Sequence, residues 1–315
     1  MSLTESRGTP TTVAADRTRS RFRHEALFYA GVEQFVRRTA RYVREALEAA
    51  EPVLVTVVES RAKLLREELG SDADSVEFLD MERIGRNPAR IIPAWQDWVQ
   101  RNRSSGGSFR GVSEPLWPGR SSAEIRECQK HEQLLAAAFT GGPGWSLLCP
   151  YDLEALPVDV IAAAHRTHAG LAAGNVLVDP LPNLGAPILE LHFELTSLPD
   201  LRTAVRSRAA DLGLADHRVP DFVLVADELA ANSVRHGGGG GVLRLWNHAP
   251  YAICEVHDDG VIRDQLVGRR RPDFAQNVGG AGLWTANRLC DLLLIRSAEA
   301  YGTSVRAHFA AIATD

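Results

Sequence analysis

Three polar side chains recur at intervals of four residues near position 230: Glu228, Asn232 and His236. In an α-helix this spacing places them along one face, while Phe222 and Leu229 belong to an apolar stripe on another. Mg²⁺ prefers oxygen ligands and completes its shell with phosphates and water, so a carboxylate and a carboxamide one turn apart suit a cation and phosphate site. A solvated helix face explains the spacing as well, so this segment alone does not distinguish a cation and phosphate site from an ordinary exposed surface.

Three glycine-containing segments follow this helix along the chain. The segment VHDDG (256–260) ends an apolar strand on Asp258, the segment GGAGLW (279–284) opens a helix after a loop, and GTSV (302–305) leads into the last strand. Glycines let backbone N–H groups approach phosphate, and a helix N-terminus adds favourable partial charge for an anion. A carboxylate such as that of Asp258 accepts hydrogen bonds, for example from the exocyclic amine of adenine. The segments together favour a nucleotide site.

The elements that must position these residues follow two hydrophobic periods. Apolar residues from Leu189 to Leu195 alternate with polar ones, which predicts a half-buried strand. Helices are predicted at 198–214, 220–235 and 281–289, and further strands at 242–247, 252–258, 292–297 and 303–311. This order predicts an α+β sandwich for the C-terminal half of the chain.

In this order, the segments resemble the nucleotide-binding boxes of the Bergerat (GHKL) ATPase fold, and most of all its anti-sigma-factor serine/threonine kinase branch, over residues 186–315. The resemblance implies a Bergerat ATPase sandwich with ATP and Mg²⁺ as cofactors. It implies that Glu228 orients or deprotonates the acceptor hydroxyl, that Asn232 coordinates Mg²⁺ and that Asp258 binds adenine. The other nucleotide-binding residues that it implies are Gly260, Gly279, Gly280, Gly282, Leu283 and Thr303.

Two features of the expected lid differ from the family pattern or add to it. The family often has a second glycine two residues after the position of Gly260, and this chain has Ile262 there. Three consecutive arginines, Arg269 to Arg271, also fall in the lid segment. These arginines would contact the ATP phosphates or an acidic partner protein. Alternatively, they belong to an ordinary solvated loop and contact only water.

The N-terminal half alternates strand and helix patterns. Strands are predicted at 52–58, 76–79 and 144–149, and helices at 32–50, 60–69, 88–101 and 122–139, which favours an α/β domain with a parallel sheet. Four segments resemble the MEDS sensory domain, a RecA-like family: HEALFY (24–29), EPLW (114–117), HEQLL (131–135) and LCPYD (148–152). The resemblance implies a degenerate sensor, for which a small molecule is a candidate ligand, or a docking domain. Because the chain lacks a Gly-x-x-x-x-Gly-Lys-Ser/Thr loop, we expect no nucleotide there.

Histidines and cysteines offer weaker signals in this half. His165 and His168 are three apart and would share a helix face as metal ligands, but no third ligand has a convincing spacing, which favours a surface or packing role. His24 and His131 would take part in ligand sensing by the family resemblance, or serve as hydrogen-bonded structural residues. The four cysteines contain no Cys-x-x-Cys pair, so we expect reduced, packed thiols.

The length and composition of the chain limit the number of its domains and the classes of protein to which it can belong. A chain of 315 residues with 45% hydrophobic residues and net charge -5 predicts about two globular domains, which we place at 21–180 and 186–315 after a disordered tail at 1–20. The mildly acidic balance gives no reason to expect direct nucleic-acid binding. Without an apolar run of membrane-spanning length or a signal-peptide core, the sequence predicts a cytoplasmic protein and no membrane contact.

Three functions follow from these resemblances. The first is a regulatory protein kinase of the anti-sigma type that phosphorylates serine or threonine on an anti-anti-sigma (STAS-type) protein, with a sigma factor as a further partner. The second is a binding module that uses nucleotide only to set its conformation, which Ile262 favours. The third, a sensor histidine kinase, needs a phospho-accepting helical hairpin, which the Pro-rich stretch at 175–187 does not supply. The sequence leaves a homodimer open.

Overall fold

The computed structural model describes residues 22–103, 108–170, 174–272 and 281–311 of the chain. The predicted tail at 1–20 lies outside these ranges. The described part forms a parallel five-stranded sheet with helices, followed by an antiparallel five-stranded sheet with helices. Both predicted fold classes are therefore confirmed. None of the helices in these ranges combines the length and apolar character that crossing a membrane requires.

The N-terminal domain is an α/β unit with strand order β1-β5-β4-β2-β3, and all four pairings are parallel. Its strands are β1 (Arg23–Tyr29), β2 (Val53–Val57), β3 (Val76–Asp80), β4 (Arg110–Ser113) and β5 (Ser146–Asp152). Its helices are α1 (Val32–Glu48), α2 (Glu59–Leu69), α3 (Met81–Ile84), α4 (Ile91–Asn102), α5 (Ser122–Phe139) and α6 (Val158–His168). Every residue of β2 is buried, as is typical of a parallel strand covered on both faces.

The C-terminal domain has strand order β6-β7-β8-β10-β9, with antiparallel pairings throughout. Its elements are β6 (Leu189–Glu194), α7 (Leu198–Ser207), α8 (Val219–His236), β7 (Gly240–His248), β8 (Tyr251–Asp258), α9 (Ala281–Leu289), β9 (Leu292–Ala298) and β10 (Gly302–Ala310). Helix α8 packs on the sheet, where the ring of Phe222 meets that of Phe309 edge-on at 5.1 Å. This contact fixes the helix that carries Glu228 and Asn232.

Several parts of the fold differ from the sequence prediction, which also lacked helices α3 and α6. Strands β1 and β4 were not predicted, because β1 mixes charged and apolar residues and β4 has only four residues. Helix α7 ends at Ser207, whereas the pattern predicted a helix to 214. Turns follow it, with Gly213 at φ 69°, yet Ala209 and Leu212 remain buried. The apolar spacing beyond Ser207 therefore reflects the packing of turns.

The two domains are in contact through the end of α9. Asn87 Nδ2 donates to Asn287 Oδ1 at 3.1 Å. The Arg90 guanidinium donates to the carbonyl oxygens of Asn287, Arg288 and Cys290 at 2.7, 2.8 and 2.7 Å. These are carbonyls at the C-terminal end of a helix, where intrahelical partners are missing and a cation is favourable. The N-terminal domain thus caps a helix of the C-terminal domain.

Candidate functional site

A cavity of about 350 Å³ lies in the C-terminal domain between α8, β8, β10 and the chain that follows β8. Five of the residues predicted from the sequence line it: Asn232, Asp258, Gly260, Leu283 and Thr303. Its apolar wall is formed by Leu229, Val256, Ile262, Val267 and Val305. A mostly apolar cavity with a few fixed polar groups is typical of a site for a small organic ligand.

Helix α8 holds the polar edge of this site. Pro220 stands in its first turn, where a missing N–H costs nothing, and Gly237 directly follows its last residue, His236. Leu229 is buried in the core, so that Glu228 and Asn232, one turn apart, are half-buried beside the cavity. The helix face is therefore only partly solvated: Glu228 and Asn232 are half-buried, whereas His236 is exposed.

Glu228 and Asn232 both meet the first turn of α9. A Cβ placed on Gly282 would lie 2.7 Å from Glu228 Oε2 and 2.8 Å from Asn232 Nδ2. Since these distances are below van der Waals contact, a larger residue here would force the ends of the Glu228 and Asn232 side chains to move. Arg235 Nη2 donates to Asn232 Oδ1 at 3.2 Å, and the exposed His236 also lines the cavity. The structure therefore brings a carboxylate and a carboxamide together at the start of a helix.

Asp258 ends β8 at the cavity and is fixed on both carboxylate oxygens. Ser233 Oγ donates to Oδ2 at 2.5 Å, and the Gly260 N–H donates to Oδ1 at 2.8 Å. A Cβ on Gly237 would collide with this carboxyl group. Each carboxylate oxygen accepts more than one hydrogen bond, so Asp258 can still accept one from a ligand. Ser233 was not predicted, although it follows Asn232 directly.

Thr303 belongs to a hydrogen-bonded chain on the other side of the cavity. It pairs with Asp258 across β10 and β8, and its Oγ1 donates to the Gly260 carbonyl at 2.8 Å. Ser297 Oγ shares a hydrogen bond of 2.7 Å with Thr303 Oγ1 and accepts one of 2.7 Å from the Ile262 N–H. The chain after β8 is thus pinned to the sheet. Ser297 was missed, because nothing in its local sequence marks it.

Two predicted glycines, Gly279 and Gly280, lie outside the described residues, so their assignment to the lid stays a prediction. The described end of the lid segment is anchored rather than free. Arg269 is buried and its Nη2 donates to Glu127 Oε2 of α5 at 2.8 Å. The solvated-loop explanation is therefore wrong for this arginine.

Glu127 is the centre of a buried ion cluster between the domains. It accepts from Arg269 and, at 3.0 Å, from Arg296 Nη1 of β9, and Lys130 Nζ is 3.4 Å away. Burial opposes ionisation, but Arg269, Lys130 and Arg296 outweigh it and hold the pKa of Glu127 below its usual value. The cluster connects α5 to both the lid segment and the antiparallel sheet of the C-terminal domain.

Comparison with known protein families agrees with this geometry. Residues 23–169 match the family described as the methanogen/methylotroph, DcmR sensory domain, MEDS. Residues 191–309 match the histidine kinase-like ATPase domain, and the whole cavity described above falls within this second match. No curated protein matches the chain.

Proposed function

Since the chain carries a MEDS domain followed by a histidine kinase-like ATPase domain, we propose that it is an ATP-dependent protein kinase of the anti-sigma factor type. It transfers the γ-phosphoryl group of ATP to a serine or threonine of an anti-anti-sigma (STAS-type) partner in the cytoplasm, and so controls a sigma factor. The observation that carries the proposal is the packing of Glu228 and Asn232 against Gly282, beside a cavity that ends on Asp258.

The donor set fits Mg²⁺·ATP. The apolar wall accommodates a flat base, and Asp258 is held in place to accept its exocyclic amine. Asn232 offers an amide oxygen, a hard ligand of the type that Mg²⁺ takes, while Glu228 offers a carboxylate one turn away. Bound Mg²⁺ supplies charge neutralisation for the phosphates.

Within this arrangement the protein positions groups more than it reacts with them. Asn232 would hold Mg²⁺ and the phosphates near the first turn of α9, where Gly282 carries no side chain. Glu228 accepts the proton of the incoming serine or threonine hydroxyl and fixes its direction of attack. Phosphoryl transfer needs mainly such positioning and electrostatic stabilisation.

The test is the substitution Glu228→Gln, which keeps size and hydrogen bonding but removes the base. We expect phosphotransfer from radiolabelled ATP to fall by about 100-fold or more, with ATP binding retained. The acceptors are a panel of purified STAS-domain proteins. Asp227→Asn is the matched control, because the neighbouring Asp227 carboxylate pairs with Arg202 at 2.9 Å. Undiminished transfer by Glu228→Gln would overturn the assigned role.

A second candidate is a nucleotide-gated binding module without phosphotransfer. It is favoured by Ile262, which lines the cavity and donates its N–H to Ser297 where the family often has glycine. Such a module would bind ATP and capture its partner, yet leave every acceptor in the panel unlabelled. Labelling of one acceptor by the wild-type protein, lost in Glu228→Gln, would exclude this candidate.

A further inference from the structure

Four potential metal ligands converge inside the N-terminal domain, each from a different element. They are His24 of β1, Glu132 of α5, Cys149 of β5 and His168 of α6. One nitrogen, oxygen or sulphur atom of each lies within 4.8 Å of every other. The local sequence pairs His168 with His165 instead, because His24 and His168 are 144 positions apart. In the fold, His165 stacks on Phe28 at 3.8 Å and is not one of the four.

The distances within this cluster suit a tetrahedral ion. His24 Nε2 lies 2.9 Å from Glu132 Oε2, 3.2 Å from Cys149 Sγ and 3.0 Å from His168 Nε2. His168 Nε2 lies 3.6 Å from Glu132 Oε2. Zinc bonds of about 2.0 Å to nitrogen or oxygen and 2.3 Å to sulphur place neighbouring ligand atoms about 3.3 to 3.6 Å apart. Small side-chain shifts therefore suffice to place one ion at the centre.

The four candidate ligand atoms face one another and together carry more lone pairs than protons. His168 Nδ1 is 2.8 Å from the Ala164 carbonyl oxygen, which only accepts, so Nδ1 holds the proton of the neutral ring. The Nε2 atom of His168 then presents a lone pair to the cluster. Glu132 adds a carboxylate, whose Oε1 is buried without a hydrogen-bond partner among the described residues. Electron-rich atoms gathered in this way are stabilised by a cation between them.

The four side chains are largely buried and hydrogen-bonded in the way that is typical of ligands in a protein metal site. Cys149 and Glu132 are 0% and 4% exposed, and the side chains of His24 and His168 are 11% and 7% exposed. The Tyr151 hydroxyl donates to Glu132 Oε2 at 2.9 Å. Such second contacts fix the direction of ligating groups in metal sites. The carboxylate and the His168 ring are thus held in position before any ion arrives.

We propose that His24, Glu132, Cys149 and His168 bind one divalent transition-metal ion, and that zinc is the ion this ligand set suits best. Thiolate and imidazole ligands select against Mg²⁺ and Ca²⁺, which take oxygen, and four protein ligands of mixed type suit tetrahedral zinc. This site is separate from the nucleotide cavity. It shares α5 with Glu127, so the ion lies on the helix that contacts the ATPase domain.

The test uses the full chain, stripped with a chelator and titrated with Co²⁺ as a spectroscopic substitute for zinc. We expect one Co²⁺ per chain, a thiolate-to-cobalt absorption band in the near ultraviolet, and displacement by one equivalent of Zn²⁺. Cys149→Ser should remove the band. Cys128→Ser is the matched control and should keep it, because Cys128 is buried on α5 and donates to the Pro115 carbonyl at 3.2 Å.

A second pair of variants keeps the test decisive if a cysteine variant does not fold. His168→Gln should weaken Zn²⁺ binding at least tenfold, whereas His165→Gln, one turn earlier on α6, should not. Wild-type protein that stays folded but takes up neither ion would overturn the proposal and leave a hydrogen-bonded polar cluster. Binding that survives in both Cys149→Ser and His168→Gln would equally overturn it, since the ion would then lie elsewhere.

Discussion

Replacing Glu127 by glutamine removes the carboxylate that, among the described residues, pairs with both Arg269 and Arg296. The substitution keeps the shape of the side chain and takes away its charge. Two guanidinium groups, each less than a tenth exposed, then remain beside Lys130 without a counter-charge at this point. We expect the substitution to lower the free energy of unfolding by more than the loss of two hydrogen bonds alone would.

The magnitude follows from the burial of the cluster. Removing one partner of a buried ion pair costs about 3 to 5 kcal/mol of stability, because an uncompensated charge stays behind. The matched control is Glu299→Gln, which breaks an ion pair of 3.2 Å with Arg263 on the surface, where the side chains are 76% and 81% exposed. An exposed pair contributes about 0 to 1 kcal/mol. The two substitutions are chemically identical and differ in burial.

The assay is urea unfolding followed by circular dichroism, at several pH values. Since the folded pKa of Glu127 is depressed, its contribution is present above the unfolded value of about 4.3 and is lost as pH falls below it. The wild-type protein should therefore lose stability between about pH 4.5 and 3 more steeply than Glu127→Gln. If Glu127→Gln costs no more than Glu299→Gln, the ion cluster does not hold the domains together and this reasoning fails.

Three further predictions concern other parts of the chain. Gly282→Ala crowds Asn232 and should lower ATP affinity about tenfold in calorimetry, whereas Gly174→Ala, with open space around it, should not. Burial lowers the pKa of His308 to about 4, so the protein takes up a proton on unfolding between pH 6.5 and 4. The free energy of unfolding should therefore fall by up to about 1.4 kcal/mol for each pH unit as the pH is lowered through this range. His308→Gln should flatten this slope in urea titrations. Arg90→Ala leaves helix carbonyls unpaired and should cost about 2 to 3 kcal/mol in the same assay; an unchanged midpoint would contradict the capping role.

Local periodicity was enough to predict most of the fold. Helix α5 occupies residues 122–139 as predicted, because its apolar spacing and the Ser121 capping box are both local signals. Strand β1 could not be predicted in the same way. Arg23 and Glu25 are exposed whereas Leu27 and Tyr29 on the same face are buried, and the place of the strand in the sheet is set by its pairing with β5, more than a hundred positions away.

The residues of the site likewise divide into those with a local sequence signal and those brought together only by the fold. Glu228, Asn232 and Asp258 were predicted from their spacing and strand-end position, which are local, and the structure places Asn232 and Asp258 at one cavity. The ion pair of Arg269 with Glu127 joins residues 142 positions apart, so no local pattern carries it. The cluster of His24 and Cys149 is of the same kind. Each residue lies in a segment that was singled out, but only the parallel pairing of β1 with β5 brings them together.

The most direct test of the nucleotide site is calorimetric titration of ATP, with and without Mg²⁺, into the wild-type protein and Asn232→Ala. Asn247→Ala is the matched control, because that exposed amide donates to the Asp211 carbonyl, and Asn247 is not among the cavity-lining residues. We expect Mg²⁺-dependent binding at one ATP per chain for the wild type and the control, and its loss in Asn232→Ala. Absence of ATP binding in the wild type, or Mg²⁺-dependent binding that Asn232→Ala retains in full, would contradict the account.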